Sequence, residues 1–373
     1  MKWLFKKWVS SLTFFFIISL NCKGRNFDYF VNFELANNKI YVLHADGDIK
    51  IFDDSNGKLL DTYSQKSKIT TLTKDHTGNI IIADAANDVK RLSSDNQWLT
   101  IASLKGDQLL RVLFDNRDNC FLITQKGLFD LENNKNYLPD RHFAHSEWAY
   151  HGSPFWESLD NDIGAYIDNN NNIWIDFNHG EWGNDLFVFN QQTHSFIPVK
   201  GYGGVPYYEA NNQLFSTTHS WLWFTLIKYS PVYDKDKHLI EFEGTKIYSI
   251  EDVYGYQTKK QNTSDIDIFP GNSAYNTLDN NFYFISSNGL RKTKISAPIH
   301  KFSDFTPVKN FMFPKNITKA NEYYDGAKHQ IRIENGYPQY VSKLEFTSKG
   351  KLVLLPSSYG VWLFDGKKLT IVE

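Results

Sequence analysis

His179, Glu181, Trp182 and Asp185 stand together in the stretch DFNHGEWGND, residues 176 to 185, and a related tetrapeptide, HSEW, occupies 145 to 148. A histidine and an acid two residues apart project to one side of an extended segment. His179 with Glu181, and His145 with Glu147, could therefore each offer two donors to one divalent ion, or an acid-base pair to a substrate. Trp148 and Trp182 add flat apolar surfaces that stack on the C–H faces of a sugar ring while carboxylates accept its hydroxyl hydrogen bonds. His219 and Trp221, from THSWLW, extend the set, and most of the chain's ten tryptophans fall between 148 and 223. The candidate ligand site is thus His145, Glu147, Trp148, His179, Glu181, Trp182, Asp185, His219 and Trp221, with His142, His151 and Trp156 beside it.

The same chemistry sets the order of the alternatives. No helical HExxH and no cysteine ligand set accompanies the histidines, so a divalent metal is the lesser use of His145, Glu147, His179 and Glu181, and no cofactor is expected. Neither GxSxG nor GxxxxGK[ST] occurs, which leaves serine hydrolysis and nucleotide hydrolysis without support. Recognition of a small molecule, a glycan or an envelope protein is the leading reading. A polysaccharide-active lyase or hydrolase is the second, with Tyr202, Tyr207 and Tyr208 of GYGGVPYYE joining the histidines. The run DNNNN at 168 to 172 reads as a strand-connecting turn, Trp174 and Trp362 as packing between repeats, and His44 and His76 receive no role.

What must position these residues is a repeat. NNKIYVL, TGNIIIA, RDNCFLI, NNNIWID, NNQLFST, DNNFYFI and KGKLVLL each join a tight Asn/Gly turn to a short β-branched or aromatic strand. The strands start at Ile40, Ile80, Cys120, Ile173, Leu214, Phe282 and Leu352, and the first three starts are 40 residues apart. A period near forty made of four short strands is the signature of a β-propeller blade. The spacing predicts an all-β, seven-bladed propeller over 30–373, with an eighth blade as the alternative if 244–271 hides one. The alternation in KIYVLHADGDIKIF predicts strands with two distinct faces.

In a four-stranded antiparallel blade, lettered A to D from the axis outward, the A–B and C–D turns share one face of the disc. The B–C turns and the D–A links to the next blade share the other. The longer intervals imply insertions at about 139–162, 244–271 and 301–340, all expected as D–A links, and NHGEWGN is a B–C turn. Length collected on one face of a rigid scaffold is the expected form of a binding surface.

Two stretches carry a family resemblance. DHTGNIIIADAANDVKRL resembles an NHL-type repeat, and DNNNNIWIDF followed by DLFVF resembles the two-component-regulator propeller repeat. The resemblance covers the second and fourth blades and implies propeller architecture while leaving function open, since such repeats serve sensing, scaffolding and catalysis alike.

The first residues read as a targeting segment. Lys2, Lys6 and Lys7 precede the apolar run VSSLTFFFIISL, which is shorter than the roughly 20 residues that span a bilayer, so 1–21 is expected to be a signal peptide. ISLNC resembles the lipobox of bacterial lipoproteins, although Asn21 stands where Gly, Ala or Ser is usual, and implies lipidation of Cys22. The mature chain is then expected in the cell envelope, anchored to a bacterial membrane, with 22–29 as a short tether and a monomeric propeller behind it. The other cysteine, Cys120, lies in an apolar strand and reads as a buried thiol. Loss of the leader's three lysines takes Lys+Arg from 40 to 37 against 42 acids, a formal charge of about −5, which argues against a nucleic-acid partner.

Overall fold

The computed structural model describes residues 30–95, 97–140, 163–178, 184–201, 203–219, 223–251, 270–286, 289–313, 341–356 and 360–372. Blade 1 comprises β1 (Phe30–Ala36), β2 (Lys39–His44), β3 (Ile49–Asp53) and β4 (Leu59–Tyr63); blade 2 comprises β5 (Ile69–Lys74), β6 (Ile80–Asp84), β7 (Asp88–Leu92) and β8 (Trp98–Ser103). Blade 3 follows with β9 (Leu109–Phe114), β10 (Cys120–Thr124), β11 (Gly127–Asp130) and β12 (Lys135–Tyr137), and blade 4 with β13 (Ile163–Ile167), β14 (Asn172–Asn178), β15 (Asn184–Asn190) and β16 (Ser195–Ile197). Blade 5 has five strands: β17 (Val199–Lys200), β18 (Tyr207–Ala210), β19 (Gln213–His219), β20 (Trp223–Tyr233) and β21 (Leu239–Glu251). Blade 6 is β22 (Pro270–Asn276), β23 (Asn281–Ser286), β24 (Gly289–Lys294) and β25 (Thr306–Pro307); blade 7 is β26 (Val341–Phe346), β27 (Leu352–Pro356), β28 (Val361–Phe364) and β29 (Leu369–Val372).

The described residues form seven blades, each of four consecutive antiparallel strands, with β17 added in parallel to the outer edge of blade 5. Among the described residues there is no eighth blade: residues 244 to 251 of the segment considered for one are part of β21, strand D of blade 5. The strands found from the repeat are the B strands, and they are buried on both faces: β6, β10 and β27 are buried throughout. The alternation expected of KIYVLH is absent for the same reason, since β2 is sandwiched between two neighbouring blades. Both faces carry apolar side chains wherever both are covered.

Seven apolar layers, one per blade junction, close the ring. The layer between blades 7 and 1 joins Val353, Leu355, Val361 and Leu363 to Phe33, Ile40, Val42 and Phe52. Trp174 is fully buried between blades 4 and 5, against Tyr229 and Phe242, and Trp362 between blades 6 and 7. Cys120 is free and buried, and burial pushes its thiol up to about 12.

Turn chemistry explains the register. Asn37–Asn38 and Asn211–Asn212 are two-residue hairpin turns with both residues at positive φ, between 52° and 59°, a conformation asparagine adopts at low cost. Five A strands carry a one-residue bulge at the same point, against the end of strand B, in blades 1, 2, 3, 6 and 7. The freed carbonyls are met by side chains: the Thr70 hydroxyl donates to Ala83 O, and that of Ser342 to Leu355 O. Blades 4 and 5, which carry the candidate site, pair regularly there.

Candidate functional site

The two faces of the disc are built from different chemistry. On the A–B face, Asp75, Asp115 and Asp168 repeat one device. Asp168 Oδ1 accepts from the backbone N–H groups of Asn170 and Asn172, and its Oδ2 accepts from Asn172 Nδ2 and, at 2.9 Å, from Trp174 Nε1. These turns also bond from blade to blade. His76 N donates to Asp118 Oδ1, Asn116 N to Asn171 Oδ1, and Asn169 N to Glu209 Oε1. Nearer the axis, Lys74 lies 3.0 Å from Glu345 and 3.5 Å from Glu34, while Lys343 lies 2.9 Å from Glu34 and 3.7 Å from Glu345. Burial alone would lower the Lys74 pKa, but the carboxylates of Glu345 and Glu34 outweigh it and raise it. The quartet ties blades 7, 1 and 2 together across the closing seam.

On the opposite face the D–A links and B–C turns meet, as the parity of the strands requires. Ala85 N, in the B–C turn of blade 2, donates to Lys68 O; Leu104 N donates to Asn87 O; Gln125 N donates to Gln108 O. For blade 4, Ile163 pairs with Phe177, and Phe177 with Asp185, so the link arriving at β13 and the connection from β14 to β15 spring from one edge. In blade 5 the corresponding edge is His219 opposite Phe224. The described strand ends at Ile163, Phe177, Asp185, His219 and Phe224 thus lie along one edge of blades 4 and 5.

Of the candidate ligand residues, His145, Glu147, Trp148, His179, Glu181, Trp182 and Trp221 lie outside the described residues, as does Cys22. His219 is the last residue of β19. Asp185, at the start of β15, is fully buried, so its carboxylate belongs to the support beneath the connection and is withdrawn from a ligand at the surface. Two of the expected insertions also change extent. The link after blade 5 begins only after Glu251, and blade 6 continues through a 3₁₀ turn at Phe302–Asp304 to β25, so the long link there starts after Pro307.

Of the three tyrosines, Tyr202 lies outside the described residues, and Tyr207 and Tyr208 differ from the expectation of an acid-base set. Tyr207 and Tyr208 are both buried at the inner strand of blade 5. The Tyr207 hydroxyl donates to Asp176 Oδ2 at 3.3 Å, and Tyr229 and Ser216 share a hydrogen bond of 2.9 Å beside it. Burial, and then the Asp176 charge, raise the Tyr207 pKa well above its ordinary value. Such a phenol stays protonated and serves as a fixed donor, unsuited to proton abstraction. Tyr208 stacks with Phe215, Tyr275 and Phe282 between blades 5 and 6, a packing role.

The segment from β17 to β18 seals the floor at this junction. β17 pairs in parallel with β21 at the rim, Val199 opposite Phe242. The chain then turns inward, where a Cβ on Gly204 would meet Thr217 O at 2.6 Å, and one on Gly164 would meet Val205 Cγ1 at 1.9 Å. At Gly204 the neighbour is backbone and at Gly164 the Val205 side chain, and glycine alone leaves room for both. One further cluster with metal-ligand atoms, Asp234, Asp236 and His238, sits at the tip of the β20–β21 hairpin, away from this floor. There Asp234 already accepts from Asp236 N, from His238 N and, at 3.2 Å, pairs with His238 Nδ1, which is a turn-bracing arrangement.

No protein-family model and no curated protein matches the chain. Solved structures do. The β-propeller domain of Myceliophteria thermophila Cps50 (Swd1) is similar at 9% identity and a TM-score of 0.50, over 88% of this chain and 92% of that one. A functionally unknown protein from Desulfotomaculum acetoxidans DSM 771 is similar at 11% identity and 0.50, over 92% and 95%. The extracellular domain of a hybrid two-component system from B. thetaiotaomicron is similar at 14% identity and 0.49; it matches 92% of this chain, which spans 41% of that one. At these identities the likeness establishes the propeller fold alone.

Proposed function

We propose that this chain is an exported, lipid-anchored binding protein of the bacterial cell envelope that recognises a glycan, a small molecule or an envelope protein through the face formed by the B–C turns and D–A links. One observation carries the reading: the connections bearing His145, Glu147, Trp148, His179, Glu181, Trp182 and Trp221 all spring from the same edge of blades 3 to 5. Beneath them lies a close-packed floor in which Asp176, Asp185 and Tyr207 are buried. Rigid strands presenting aromatic and acidic connections suit stacking and hydroxyl recognition. Binding is preferred to polysaccharide cleavage because two of the tyrosines of the cleavage reading, Tyr207 and Tyr208, are buried between blades, with the Tyr207 hydroxyl committed to Asp176.

The reading is tested with immobilised neutral and uronic-acid oligosaccharides, scored for retention and for cleavage. Retention without cleavage, lost in Trp182→Ala, is the expected result. Cleavage that depends on His179 would move the protein to the lyases or hydrolases. Inertness toward every sugar, with an envelope protein co-purifying, would assign the face to a protein partner.

A further inference from the structure

The direction in which the binding face looks follows from where the chain enters the ring. β1 begins at Phe30, and Phe30 pairs with His44, the residue before the B–C turn of blade 1. The chain therefore joins the disc on the face of B–C turns and D–A links, beside Val31, a bulge residue 47% exposed. From Cys22 to Phe30 there are eight steps, at most roughly 25 to 30 Å of extended chain. The blades themselves, with strands of mostly five to seven residues, are roughly 17 to 20 Å thick. A tether of that reach, attached to one face, does not let a disc turn over freely.

We infer that the candidate binding face is turned toward the bilayer that holds Cys22, so that what this face meets is the lipid headgroup layer of that membrane. The inference rests on the lipid-anchored reading given above. The A–B turns, with Asp75, Asp115 and Asp168, then look away from the membrane.

Charge does not drive the arrangement. Lys66, Lys68, Lys105 and Lys126 on this face alternate with Asp46, Asp48 and Asp107, which leaves the described part of it without a dominant sign. Attraction to anionic lipid needs a net basic surface. The tether sets the orientation by holding this face at high local concentration near the lipid, an effect that salt does not screen.

The test uses the full chain, exported with its own leader, acylated, and reconstituted in vesicles of phosphatidylethanolamine and phosphatidylglycerol. Cys120 is buried and its thiol is pushed up to about 12, so it stays unreactive, and Cys22 is blocked by the lipid. Single cysteines then report position: Lys105→Cys and Lys66→Cys on the inferred proximal face, Arg117→Cys and His76→Cys on the A–B turns of blades 3 and 2, all four at exposed residues. Energy transfer from a label to a lipid-borne acceptor is expected to be greater at 105 and 66 than at 117 and 76, and to stay so at high salt. Equal or reversed transfer in acylated protein overturns the inference alone. Mass spectrometry showing mature protein without an acyl group on Cys22 overturns the anchored reading and the inference with it.

Discussion

The two faces of this propeller differ in their connections. On the A–B face each turn is closed by a few polar side chains, and Asp168 alone accepts four hydrogen bonds and orients a buried tryptophan. Those turns are also stitched to their neighbours from blade 1 to blade 5, for example Asn37 to Gly78 and Asn169 to Glu209. On the B–C face the turns of blades 1 to 3 remain short, while blades 3 to 5 carry connections rich in histidine, tryptophan and acid. The short B–C turns brace themselves as well: Asp84 accepts from the backbone N–H groups of Ala86 and Asp88 and from Lys90 Nζ. The proposed division is therefore between short turns of either face, whose aspartates are structural, and the long B–C and D–A connections, whose carboxylates the proposed function assigns to recognition.

That division can be broken in graded steps. The largest effect is expected from Asp168→Ala, which removes a charged acceptor and strands the Trp174 N–H in the core; a loss of about 3 kcal/mol in urea unfolding is predicted. Glycan retention by the remaining folded protein should be unchanged. Gly204→Ala tests the floor, because its new Cβ meets the Thr217 carbonyl at 2.6 Å; a loss of about 2 kcal/mol is expected from overpacking.

Glu209→Gln gives a smaller and pH-dependent effect. Burial and the neighbouring Asp168 charge raise the Glu209 pKa above 4.5, against the Asn169 N–H and the Tyr166 hydroxyl that favour its ionised form. With the folded-state pKa raised, the protonated form is the one folding favours. Its contribution is fully present below the unfolded value and is lost as pH rises through the folded one. Thermal melts from pH 4 to 7, values spanning the ordinary carboxylate range, should therefore show a flatter pH dependence for Glu209→Gln, with equal or higher stability at neutral pH. The smallest stability change is predicted for His179→Ala and Trp182→Ala, within about 0.5 kcal/mol of the parent in the same assay.

Much of the architecture was legible in the sequence because it repeats. The B strands at Ile40, Ile80 and Cys120 recur with their asparagine and glycine turns, and Trp174 and Trp362 could be assigned to packing from their strand positions. Blade 5 escaped the pattern. Its outer strands run 11 and 13 residues, so the period stretched and residues 244 to 251 read as an insertion when they are strand. The parallel β17 cap left no signal in two residues.

Contacts between distant positions were equally hidden. Lys74 and Glu345 are 271 residues apart in sequence, and nothing local in ITTLTK or VSKLEF marks them as partners. An alignment of the A strands, repeat on repeat, would have placed Glu34 and Glu345 at the same inner position. For the site, Asp185 showed the limit of spacing: β15 is buried on both faces from Asp185 to Asn190, so either side of the strand would have put this carboxylate in the core.

The most direct test of the division between short turns and long connections is a paired binding titration of the parent, Trp182→Ala and Arg117→Ala against an oligosaccharide retained by the parent. The account predicts that Trp182→Ala loses at least about tenfold in affinity, equivalent to about 1.4 kcal/mol, while Arg117→Ala on the opposite face binds as the parent does. Loss of binding in Arg117→Ala with Trp182→Ala unaffected would contradict it.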